Sequence, residues 1–92
     1  MIYEHNKDIF YSYSRLKWAC RRGMLELDVL LGNFLEVAFS TLSFSEQAQF
    51  ASLLAYSDPE LFAWLTGQNR PDDKDLATMV DKIRQTAVLS VG

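Results

Sequence analysis

The chain has 92 residues, 49% of them hydrophobic and 23% charged, with a net charge of −3; that composition excludes a disordered polymer and leaves room for one core, with a radius of gyration of about 12 Å if compact. No apolar run approaches the roughly 18 residues of a membrane span, and the opening MIYEHNKDIF lacks the basic and then apolar order of a secretory leader, so a cytoplasmic protein without membrane insertion is expected. A pI near 4.9 argues against a nucleic-acid partner, and a single cysteine rules out an internal disulfide.

Residues 1–13 are rich in tyrosine and alternate only weakly, so they are read as peripheral, as is the tail 88–92. Ser14 suits the cap of a first helix of about two turns carrying Leu16, Trp18, Ala19 and Cys20, with Arg21 and Arg22 in its last turn and Gly23 as a left-handed stop. Trp18 is assigned to the core and Cys20 to a buried, unreactive position, since the one histidine, His5, lies in the unstructured-looking start.

Leu27, Leu30, Leu31, Phe34 and Ala38 recur at three- and four-residue steps, which predicts a second helix over 24–39 with one buried stripe. Ser43 followed by Glu46 has the spacing of a capping box, opening a third helix with Phe50, Ala51, Leu53 and Leu54 inward. In SDPELFAWLTG, Asp58 suits a cap, Pro59 the first helical position and Gly67 the stop, with Leu61, Trp64 and Leu65 on the buried side. Asp72 is the expected cap of a fifth helix, along which Leu76, Met79, Val80, Ile83 and Ala87 repeat the same period. The chain therefore reads as an all-α, compact single-domain five-helix bundle over 1–92, with short connections that favour antiparallel neighbours.

No constellation for catalysis or metal binding emerges. Glu26 and Asp28 are two apart, about 200° around a helix, and do not converge on one substrate atom. Asp72, Asp73 and Asp75 sit where a helix start favours negative charge, no spaced Cys and His set is present for zinc, and no glycine-rich turn cradles a nucleotide. The expectation is a protein that is not an enzyme, has no catalytic or metal residues and binds no cofactor of its own. Charge, however, is segregated. Arg15, Lys17, Arg21 and Arg22 are four of the nine basic residues, whereas Met24 to Asn69 contains no Lys or Arg. Such asymmetry steers charged partners. The stretch RRGMLELD at the boundary admits two readings, helix punctuation or a docking surface, and the residues alone leave both open.

The string WACRRGMLELD together with SDPELFAWL resembles the small bacterial succinate dehydrogenase assembly factors of the SdhE type, over about residues 14–83, with an RGxxE element at Arg22, Gly23, Met24, Leu25 and Glu26. The aromatic start and the apolar tail depart from that pattern. The resemblance implies a five-helix chaperone, a monomer, that binds the flavoprotein subunit of succinate dehydrogenase, and also that of fumarate reductase, and promotes covalent attachment of FAD to a histidine of that partner. FAD then belongs to the partner. The resemblance also implies a second reading, since relatives are described as antitoxins: a regulatory protein that binds a small toxin.

Carried onto this chain, the partner-binding residues are Gly23 and Glu26 first, then Arg22, with Arg21, Arg15 and Asp28 in support. A turn without a side chain admits close approach of a partner backbone, and flanking charges of both signs orient it. Binding that favours the flavoprotein conformation with histidine and flavin in contact would accelerate attachment by population shift alone.

Overall fold

A computed structural model describes residues 13–91, with the side chains of 88–91 excepted. The readings placed on residues 1–12, His5 among them, and on the side chains of the tail lie outside the described residues. Among the described residues there are five α-helices and no strand: α1 (13–19), α2 (Leu25–Val37), α3 (Phe44–Leu53), α4 (Asp58–Leu65) and α5 (Lys74–Val91), with one 3-10 turn at Phe39–Thr41 between α2 and α3.

The long C-terminal helix α5 organises the bundle, packing against α2, α3 and α4. Its stripe of Leu76, Met79, Val80 and Ile83 meets Leu27, Leu31 and Phe34 of α2, Phe50 and Leu53 of α3 and Leu61 of α4 in one core cluster. Phe34 and Phe39 both lean on Phe50, with ring centroids 5.3 and 5.8 Å apart, and Tyr13 closes the end of the stack against Phe39 at 5.9 Å. These offset and edge arrangements suit the ring quadrupoles. The radius of gyration is 13.2 Å, slightly above the compact expectation of about 12 Å.

Several sequence expectations hold. The capping box at Ser43 and Glu46 is formed, each side chain bonding the other's backbone N–H. Gly67 ends α4 at φ +84°, and its N–H donates to Trp64 O while that of Gln68 donates to Ala63 O, the paired bonds of a Schellman stop. Trp64 is buried against Tyr56, and Cys20 is buried as expected.

Other expectations are corrected. Trp18 is 73% exposed; it stands two residues from both Leu16 and Cys20, about 200° around the helix, so when those face the core the indole faces water. Helix α1 ends at residue 19, so Arg21 and Arg22 follow it rather than filling its last turn. α2 stops at Val37, two residues early, and the 3-10 turn carries Phe39 back to the core. Ala51 is exposed, at the edge of the stripe set by Phe50, Leu53 and Leu54. The cap of α4 is Ser57, which forms a capping box with Glu60, not Asp58. At α5 it is Asp73, not Asp72, whose Oδ1 accepts from the N–H groups of Asp75 and Leu76. In both cases several cap-competent residues stand side by side; at α4 the one with extended backbone just before the first turn, Ser57 at φ −71° and ψ 159°, takes the bond.

Candidate functional site

The residues that the sequence brought forward lie around the turn between α1 and α2. Gly23 sits there at φ +84°, exposed, and a Cβ built on it would meet nothing within 4 Å. The position demands glycine for its backbone angle and is open to approach from outside. Glu26, in the first turn of α2, is exposed, and its side chain makes no hydrogen bond or ion pair with the described residues. Its carboxylate lies near the positive end of the helix, where negative charge is favoured.

Arg22 is placed quite differently. Only 16% of its side chain is exposed, and its guanidinium is engaged inside the molecule. Nε donates to Asp58 Oδ1 at 2.7 Å. Nη1 donates to Leu54 O at 2.8 Å and Ala19 O at 3.2 Å, and Nη2 to Tyr56 O at 2.6 Å. Its backbone N–H donates to Asp28 Oδ1, so Asp28, half-buried, faces inward to the turn rather than outward. The structure thus brings Gly23 and Glu26 together at the surface and draws Arg22 and Asp28 beneath them.

Arg15 and Arg21 are exposed on α1 and just past its end, and the Arg21 guanidinium lies over the Trp18 ring, 5.8 Å from its centroid. Such a stack is favourable and holds both groups in place at the surface. Between α1 and α2 runs an open groove of about 480 Å³, with Lys17 and Arg21 on one wall and Asp28, Val29 and Gly32 on the other. Cys20 lies at its floor. Burial pushes its thiol up to about 11, Arg22 opposing the shift and Asp28 adding to it, so the thiol stays neutral and unreactive at physiological pH.

Two apolar residues at this end escaped the sequence reading. Leu25 is 77% and Val29 58% exposed. Their signal was available: they fall between the steps of the buried stripe Leu27, Leu31 and Phe34, on the opposite side of α2. Both stand in the first half of α2, close in sequence to Gly23 and Glu26, and Trp18 is a third exposed apolar residue, on α1. Among the described residues, no three His, Cys, Asp or Glu side chains converge as a metal site. No described helix is long and apolar enough to cross a membrane.

Comparison with known proteins covers most of the chain. Residues 14–87 match the sequence profile of the family described as Flavinator of succinate dehydrogenase. Over 70 residues, 76% of this chain and 81% of the relative, the sequence is 56% identical to the FAD assembly factor SdhE of Vibrio cholerae serotype O1. It is 53% identical, over the same shares, to the protein of that name from Vibrio parahaemolyticus. The protein of that name from Colwellia psychrerythraea is likewise 53% identical, with 77% of its length covered.

Proposed function

The chain belongs to the family of flavinators of succinate dehydrogenase, and from that premise we propose that it is an assembly factor that promotes covalent attachment of FAD to the flavoprotein subunit of that enzyme. The observation that carries the proposal to particular residues is the open Gly23 turn beside an unengaged Glu26. A partner backbone reaches the turn without meeting a side chain, and Glu26 offers it an unengaged carboxylate acceptor on the first turn of α2. The exposed Leu25 and Val29 on α2 and Trp18 on α1 supply apolar surface, and Arg15 and Arg21 supply positive charge on the α1 side. FAD sits in the partner, and the flavoprotein of fumarate reductase is a second client of the same face.

The factor acts without a reactive group of its own. By binding most tightly to the flavoprotein conformation in which the acceptor histidine and the flavin are in contact, it raises the population of that conformation and so the rate of bond formation. A monomer in the cytoplasm suffices for this role. The test is reconstitution of apo-flavoprotein, FAD and this protein, read as fluorescence of covalent flavin in a denaturing gel. Glu26→Ala is expected to leave the helical circular dichroism and melting nearly unchanged and to lower covalent flavin; undiminished flavinylation by this variant would refute the role given to Glu26.

A further inference from the structure

The strings WACRRGMLELD and SDPELFAWL, far apart in sequence, meet in space at one side chain. Arg22 leaves the α1–α2 turn, reaches the loop between α3 and α4 and bonds Leu54 O, Tyr56 O and the carboxylate of Asp58, while keeping Ala19 O at the end of α1. Four of the five guanidinium N–H groups thereby hold partners in four different places. None of those partners belongs to α2. The turn that carries Gly23 and Glu26 is therefore fixed by a strut to α4, and the backbone N–H of the same residue is fixed by Asp28.

We infer that Arg22 is a positioning residue rather than a partner contact: with Asp58 it forms a latch that sets the geometry of the Gly23–Glu26 docking turn. The inference rests on the docking role proposed above. The chemistry of the side chain separates a latch from a surface charge. A planar fork with several directed donors can satisfy three carbonyls and a carboxylate at once; an ammonium point charge cannot. If Arg22 only offered positive charge to a partner, lysine would serve nearly as well and Asp58 would not matter.

The experiment uses the full chain with Arg22→Lys, Arg22→Gln, Asp58→Asn, Asp58→Glu and the double variant Arg22→Gln/Asp58→Asn. Amide hydrogen exchange and NMR shifts of Gly23 and Met24 are measured in the free protein, and affinity for apo-flavoprotein at a temperature where circular dichroism shows every variant folded. The latch predicts that Asp58→Asn and Arg22→Lys both move the Gly23 amide and weaken partner binding about fivefold or more. Asp58→Glu should recover part of the loss, and the double variant should bind no worse than Arg22→Gln alone. Wild-type affinity in Arg22→Lys, an unmoved Gly23 amide in Asp58→Asn, or additive losses in the double variant would each overturn the latch. If the wild-type protein itself fails to bind the flavoprotein, the docking role falls, and the free-protein exchange still decides whether Arg22 and Asp58 set the turn.

Discussion

Two glycines, Gly23 and Gly67, share a backbone angle of +84° and yet stand in opposite surroundings. At Gly67 the chain has just finished α4, the paired bonds of the helix stop are made, and a Cβ would lie 2.8 Å from the Arg84 guanidinium. At Gly23 the preceding helix has already ended, the turn is braced from beneath by Arg22, and the space above is empty. The same conformational demand thus serves a corner of the scaffold at one end and a surface turn at the other. A left-handed angle says only that glycine is required; what lies around the missing side chain says why.

The contrast is most directly tested by giving both positions the same side chain. Gly23→Ala and Gly67→Ala each impose a strain of about 1–2 kcal/mol from the backbone angle, so both should melt lower. Only Gly23→Ala should lose affinity for apo-flavoprotein, by about tenfold or more, because its methyl group stands where the partner approaches. Equal losses at the two sites, measured by titration calorimetry on folded protein, would erase the distinction. At Gly67 the clash is with the far end of a flexible arginine, which moves aside.

Next in size is the brace itself. Arg22→Ala strands the carbonyls of Leu54 and Tyr56 and the carboxylate of Asp58, and should destabilise the fold by about 2–3 kcal/mol. For a domain of this length that is a fall in Tm of roughly 10–20 °C. The exposed pair Arg70 and Asp81 near the Gly67 end is bidentate, at 2.8 and 2.9 Å, where Arg22 has only one bond to Asp58, yet Arg70→Ala should lower Tm far less, because exposed ion pairs contribute little. Thermal melts of the two variants side by side decide this.

Smaller effects follow from titration. The Cys20 thiol has its pKa raised to about 11 in the folded protein, chiefly by burial, against about 8.5 in an unfolded chain. A raised folded value means its contribution to stability is complete below the unfolded value and declines as pH climbs from there toward 11. Urea midpoints should therefore fall over that range in the wild type and less in Cys20→Ala, and iodoacetamide should label Cys20 slowly in native protein and quickly in urea. At the acid end, hydrogen bonding to Arg70 holds Asp81 below the usual carboxylate range, and the bond from the Ser43 N–H does the same for Glu46. Both contribute stability that is present above the ordinary carboxylate value and lost as pH falls through their depressed ones. Asp81→Asn should flatten the acid limb of the midpoint curve slightly.

Much of the architecture was legible from spacing. The stripes of α2 and α5, the capping box at Ser43 and the stop at Gly67 are local patterns, determined by bonds and contacts within a few residues, and they stand as expected. Choices among neighbours were not legible. Ser57 and Asp58, or Asp72 and Asp73, are equally able caps in sequence, and a one-residue difference in where the chain turns decides between them. Freed from capping, Asp58 becomes the partner of Arg22.

The candidate site divides along the same line. The open glycine and the carboxylate three residues on are visible in RRGMLELD, whereas the inward course of Arg22 is not, because three of its guanidinium's four partners lie 32 to 36 residues away. The exposure of Trp18 is hidden in the sequence for a related reason: an aromatic among apolar residues reads as core until the neighbouring helices show which side of α1 they cover. Sequence by itself determined where helices form, which stripe of each is apolar and where glycine is obligatory, since these depend on backbone sterics and on periods of three and four. Only the tertiary structure decided which charges are surface and which are struts. A guanidinium is drawn inward when carbonyls from distant segments converge on it, and that convergence exists only once the helices are packed.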